Sequence, residues 1–204
     1  MTTSISKTAA PKSRGRKSTF DRDAALKTAL NFFWRHGYEG VSIAELCQAI
    51  GIAAPSLYHA FGSKADLYRE VLRLYAAGNL TAGEIAAMPS ARSAIQLVLE
   101  RGVEVVTQPD KPAGCMISSG MLMVGIENVE VAAELRNMRA EFCAILENRI
   151  ICDIKAGLLA DTIDARSLAR FYSTVLQGLS VAAVDGASRA ELNLVVLAAM
   201  RAWP

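Results

Sequence analysis

The sequence predicts an all-α protein in two parts, an N-terminal three-helix head with a helix-turn-helix and a C-terminal helical body. Three observations carry that prediction. Apolar residues recur at i, i+3, i+4 and i+7 in one segment after another, the spacing of a single helix face. Cap signals stand where those stripes begin: Ser42 lies three residues before Glu45, and Ser63 three before Asp66. Glycine and proline punctuate the stripes, with Gly37 and Gly51 closing helices and Pro55 opening one, where its missing N–H is not needed.

Composition narrows the class. The 204 residues are 52% apolar, ample for a core. No run of about 18 uninterrupted apolar residues is present to span a bilayer, and the N-terminus lacks an apolar signal-peptide core. A cytoplasmic address and no membrane partner are therefore expected. The net charge of +2 is unevenly spread: residues 1–75 hold 11 Lys+Arg against 6 Asp+Glu, and residues 76–204 hold 11 against 14. A basic head on an acidic body suits nucleic-acid binding by the head alone.

Residues 1–18 are polar, contain Pro11, and are expected to be a disordered basic arm. Lys12, Arg14, Arg16 and Lys17 cluster around Gly15. They suit either an arm entering a minor groove or a solubilising tail. Asp21 can cap a first helix over about Arg22 to His36, with Leu26, Ala29, Leu30 and Phe33 as its apolar stripe. Phe32 and Trp34 widen that surface, and His36 is a cation near the helix C-terminus. Val41 before the Ser42 cap and Leu46 after it are placed as a hydrophobic staple. The helix from Ser42 ends at Gly51, and a second starts at Pro55. Leu46, Ile50, Ile52 and Leu57 are expected to meet inside, with Phe61 in the same core. Such a pair places its second helix in a DNA major groove, or is a plain helical hairpin with no DNA role.

The residues carry a resemblance. GIAAPSLYHAFGSKADLY, preceded by DRDAALKTALNFFWRHGYEGVSIAEL, is similar to the opening of TetR-type transcriptional regulators, densely from Thr19 to Tyr75. Cys47 and Ala60 depart from the usual pattern: Cys47 is still small, and Ala60 leaves the base-reading surface light in hydrogen-bonding groups. The resemblance implies a DNA-binding domain over 19–77 and a ligand-binding and dimerisation domain over 78–204. It implies a homodimeric repressor released from a double-stranded operator by a small-molecule effector. It also assigns Tyr58 and Lys64 to the DNA backbone. By geometry, Ser42 offers its hydroxyl and helix-end N–H groups to a phosphate. Ala54, Ser56 and His59 would face the groove floor, and Ala54 and Pro55 can make only apolar contact, for instance with a thymine methyl. His59 suits a base hydrogen bond or a second phosphate contact.

Ser63 opens the next helix, with Leu67, Val71 and Leu74 marking one face; in the family this helix joins head to body. Gly78 to Pro89 breaks the pattern. Ser90 to Gln108 is apolar around most of its circumference and reads as a buried central helix. Pro109 to Gly114 is a turn-rich break. The Gly114–Cys115 pair that follows resembles a subgroup with a Gly-Cys start to the sixth helix, some of which respond to metals or oxidants. Cys115, Met116, Met121 and Met123 would form a soft-ligand set if they converged, and would otherwise line a core or pocket. The four cysteines form no CxxC, and disulfides are not expected. No metal site and no cofactor are predicted.

Val129 to Gly157, Asp161 to Val184 and Ser188 to Trp203 read as the last three helices. Leu168, Phe171, Tyr172, Val175, Leu176 and Leu179 form one stripe, and Leu192, Val195, Val196, Ala199, Met200 and Trp203 another. Leu194 and Leu197 lie off the second stripe. Terminal helices apolar on more than one side need a further partner, which predicts a homodimer through a four-helix bundle, with a monomeric core as the alternative. Cys115, Met116, Ser119, Met123, Phe142, Tyr172 and Gln177 are the candidate effector pocket. Catalysis has no visible constellation: His36 and His59 are the only histidines, and both lie in the head. Two other readings remain, a non-specific DNA-binding protein and a thiol- or metal-responsive regulator using Cys115.

Overall fold

Asp21 starts the first helix, its carboxylate accepting the N–H of Ala24 at 3.0 Å. The structure, a computed structural model, describes residues 20–204, so the arm with Arg14 and Arg16 lies outside the described residues. Helix α1 (Arg22–His36) buries Ala25, Ala29 and Phe33, leaving Leu26 and Leu30 only half-buried. Helices α2 (Ile43–Ile50), α3 (Ala54–Phe61) and α4 (Lys64–Ala76) complete the head. Val41, Leu46, Leu57 and Phe61 are buried as the staple and core spacing predict, together with Leu67, Tyr68 and Val71 of α4. Phe33 meets Tyr68 edge-on at 5.0 Å between ring centres, an arrangement aromatic rings favour. Leu74 does not join this face; it is exposed, and Leu72 and Tyr75 take the inner positions.

The expected break from Gly78 to Pro89 holds a short helix, α5 (Ala82–Ala87), opened by a Thr81–Glu84 capping box. The central helix α6 (Ala91–Val106) is packed by α7 (Val129–Lys155), α8 (Ala165–Val184) and α9 (Arg189–Arg201), with Ile95, Leu99 and Val103 fully buried. Helix α8 begins later than the apolar pattern predicts, because Asp164 accepts the N–H groups of Arg166 and Ser167 as its cap. Gly102 lets α8 approach closely, since a Cβ there would collide with Leu176 Cδ1.

No helix begins at Cys115. Residues 115–125 form turns, followed by a 3-10 turn over Ile126–Asn128. Side chains take the Cys115 N–H, and also two carbonyls that a continuing helix would have paired with its own backbone. Ser180 Oγ accepts the Cys115 N–H at 2.8 Å, and Arg139 Nη1 donates to the carbonyls of Ile117 at 2.7 Å and Gly120 at 3.1 Å. Met121 then turns to φ 51, which ends any helical run.

This turn segment docks on the head. Trp34 Nε1 donates to Gly114 O at 3.2 Å, and Met116, Val131 and Leu135 pack into the head's own core. Arg69 pairs with Glu134 at 2.7 Å. On α8 and α9, several apolar side chains are left exposed among the described residues: Phe171, Val181 and Val184 on one, Val195, Leu197 and Leu194 (64% exposed) on the other. Phe171 and Val195, which the apolar stripes group with Tyr172 and Val196, are exposed while those two neighbours are buried. Among the described residues no helix is long and apolar enough to cross a membrane.

Candidate nucleic-acid interface and effector cavity

The helix pair α2–α3 is held from both ends. Ser42 donates its N–H to Glu45 at 2.8 Å, and the Glu45 N–H returns to Ser42 Oγ at 3.2 Å, closing the predicted capping box. The hydroxyl and N–H of Ser42 are therefore already engaged, and the N–H groups of Ile43 and Ala44 are the ones helix geometry leaves without an internal partner. Gly51 closes α2 at φ 80, a left-handed turn, with the N–H groups of Gly51 and Ile52 both reaching Cys47 O. Leu46 and Leu57 then lock α3 against α2.

That locking decides what α3 presents. Pro55, Ser56, His59 and Tyr58 (48% exposed) stand in solvent, while Ala54 is half-buried. Arg22 supports the far end of α3: it donates to Ala60 O at 3.3 Å, pairs with Glu70 at 2.6 Å and lies over the Phe61 ring at 4.6 Å. Lys64 does not project freely. Its ammonium sits 4.4 Å from the centre of the Tyr38 ring, half-buried, and that burial lowers its pKa against the opposing pull of Glu39 and Glu45. Reaching a phosphate requires its stem to swing off the ring.

In the body, a cavity of about 450 Å³ opens between α6, α7, α8 and the turn at Cys115. Phe142, Gln177 and Cys115 line it. A second space of about 490 Å³ lies between the end of α1 and the segment 112–121, lined by Trp34, Tyr68, Met116 and Ser119, with Cys115 again in its wall. The expected pocket is thus two spaces with Cys115 shared between them.

Two expected lining residues belong to neither. Met123 is 93% exposed, carried outward by the turns that replace a helix after Cys115, so it leaves the soft-ligand set, of which Cys115, Met116 and Met121 line the second space. Tyr172 is 1% exposed within the packed core, its hydroxyl donating to Ala199 O at 3.1 Å. Two residues the periodicity passed over line the first cavity instead. The Ser173 hydroxyl is buried with no hydrogen-bond partner, and Arg139 lies at the wall with no carboxylate within ion-pair distance among the described residues. The Tyr75 hydroxyl, also buried, stands near Cys115 and Met116 at a geometry too poor for a hydrogen bond, and its burial raises its pKa.

A capped helix pair locked by a left-handed glycine, presenting one exposed helix above a larger helical body, is the build of a helix-turn-helix transcriptional regulator. The head matches the model of the bacterial regulatory proteins, tetR family, over residues 25–71. The chain is 34% identical over 197 residues to the HTH-type transcriptional repressor ComR of Escherichia coli, spanning 95% of this chain and 93% of that one. The chain belongs to the tetR family. It is also 30% identical to the HTH-type transcriptional repressor BdcR of Escherichia coli, over 87% of this chain and 86% of that protein. Among solved structures, a cysteine-substituted TetR family regulator, CifR, complexed with 26-bp double-strand operator DNA, superposes with a TM-score of 0.87. It is 41% identical, and the match covers 93% of this chain and all of that one.

Proposed function

We propose that the chain is a cytoplasmic, homodimeric repressor that binds a two-fold operator and releases it when a small molecule occupies the body cavity. The observation that carries this reading is the exposed face of α3 on a locked helix pair, in a chain matched nearly end to end by a regulator complexed with operator DNA. Residues 19–77 carry DNA binding, and residues 78–204 carry the effector cavity and dimerisation. On α3, Ser56 and His59 face base edges and Ala54 and Pro55 make apolar contact, while Tyr58 holds phosphate. The Ser42 end of α2 and Lys64 hold the flanking backbone, and the arm with Arg14 and Arg16 adds minor-groove contacts. The uncovered apolar residues of α8 and α9 support pairing across a two-fold through those helices.

Release requires that the effector bind the two head arrangements with different affinity. The segment 114–128 supports such coupling, because it walls the cavity at Cys115 and Ile117 and is bonded to the head at Trp34 and Glu39.

Selecting bound fragments from genomic DNA, and footprinting the winner at physiological salt, tests the proposal. A protected, roughly two-fold site is expected; salt-sensitive binding with no preferred site would replace it with a non-specific DNA-coating protein. A thiol-responsive form of the same regulator is the second reading, favoured by the position of Cys115 in the walls of both spaces. Cys115→Ser that keeps both operator binding and any response to oxidants removes it.

A further inference from the structure

The effector cavity has a chemical bias. Its wall is mostly apolar, with Phe142, Ile145 and Leu176 among its residues, and its volume lies within the range of small-molecule sites. Among the described residues, two polar groups in its wall stand out, one a fully buried hydroxyl and the other a half-buried cation. Ser173 is 3% exposed, yet its hydroxyl has no partner, a state that costs free energy until something bonds to it. Arg139 is half-buried, and its ion-pair needs are unmet; only Nη1 is used, on two neutral carbonyls. Burial lowers its pKa, as expected of a cation held without a counter-charge, and the nearby charge of Arg136 adds to that.

The other charges at the wall are already committed or stand in water. Arg101 pairs with Glu104 at 2.7 Å, Glu84 spends its carboxylate on the Thr81 cap, and Glu141 is exposed. Among the charged groups and the fully buried polar groups of the wall, the unmet demand is for one anion and one hydrogen-bonding atom.

We propose that the effector is a small apolar carboxylic acid, its carboxylate held by Arg139, with a further hydrogen bond to Ser173 and its hydrocarbon body among the apolar wall residues. The inference rests on the effector reading above and names the class of molecule. It also supplies a route to release. Arg139 pins the carbonyls of Ile117 and Gly120, and therefore the turn segment docked on the head. A carboxylate is a stronger acceptor for a guanidinium than a carbonyl is, so the ligand competes with the segment for the same group. Bound acid thus favours an arrangement of the segment that differs from the one drawn here, which is the differential affinity that release needs.

The test uses the full chain, the operator duplex recovered by selection, and four probes: decanoate and phenylbutyrate, each beside its uncharged amide. Binding is read by calorimetry and release by fluorescence anisotropy of the duplex. The acids are expected to bind at least about tenfold more tightly than the amides and to release the duplex. Arg139→Gln should abolish that preference, bringing the acids down to the affinity of the amides. Arg139→Lys should keep it, and it serves if the Gln variant fails to fold. Ser173→Ala should weaken acids and amides alike. Acids and amides binding equally, or a preference that survives Arg139→Gln, overturns the carboxylate assignment and leaves the cavity standing. No probe binding to a chain that still holds its operator overturns the cavity reading as well.

Discussion

Glu39 Oε1 accepts the backbone N–H of Gly125 at 2.7 Å, joining the loop after α1 to the turn before α7 across 86 residues of sequence. The Asn128 side-chain amide donates to the same oxygen at 2.9 Å. The Asn128 bond first, and then the Gly125 N–H, hold the Glu39 carboxyl below its ordinary range.

A depressed carboxyl pKa stabilises the folded state at pH above the unfolded value, and that contribution is lost as pH falls through the folded value. The docking of 114–128 on the head should therefore loosen on the acid side. Amide protection in that segment, taken relative to the intrinsic exchange rate at each pH, is expected to fall with acid more in the parent chain than in Glu39→Gln, which keeps an acceptor but has no charge to titrate. Reading the difference between the two removes the shared acid response of the other cap carboxylates. Parallel pH profiles would discard the link as a titrating contact.

Asp153 is a second long tie. One oxygen accepts the Ala91 N–H at the start of α6 at 2.6 Å, and the other pairs with Arg149 at 2.6 Å, both side chains being almost fully buried. Arg149 continues to Met88 O at 3.0 Å. Asp153→Ala should lower stability by about 3–5 kcal/mol, because it leaves a buried guanidinium unpaired. Asp153→Leu with Arg149→Met together should cost less than either change alone. Urea denaturation of the four chains forms the double-mutant cycle that decides it.

The exposed apolar face gives a third expectation. Leu194→Arg with Leu197→Glu should yield a monomer in sedimentation and lose operator affinity, with the helix content of the chain unchanged. A dimer surviving both substitutions would move the interface away from α9.

For the head, Tyr58→Phe with Lys64→Gln should weaken binding to all duplexes alike, since phosphate contacts carry no sequence information. Lys64→Gln alone should reduce the salt slope of the dimer by about 1.8, one phosphate contact per protomer at about 0.9 each, if its ammonium leaves Tyr38 for a phosphate. An unchanged slope would mean that Lys64 stays on the ring in the complex. His59→Ala should instead relax preference at one position of the site and leave the slope alone.

Much of the head was legible because its signals are local. The Ser42–Glu45 and Ser63–Asp66 boxes, the Gly51 turn and the Val41–Leu46 staple depend on residues within one or two turns of one another, and all four form as their spacing predicts. Thr81–Glu84 was equally legible and was passed over, because the glycine and proline around it suggested a break.

The chain by itself thus determined the helical class, the order of the helices, the helix-turn-helix, and which terminal helices carry surplus apolar residues. Periodicity and caps are encoded within a few residues, and no distant partner is needed to read them. Tertiary structure alone decided the region from Cys115 to Asn128. There Ser180 and Arg139, 65 and 22 residues from the backbone atoms they bind at Cys115 and Ile117, outbid the helical ladder and turn Met123 into solvent. It also decided that Tyr172 is core and Ser173 is cavity. Adjacent residues on one helix point about 100° apart, and only the packing of α6 and α9 against α8 determines which direction is filled.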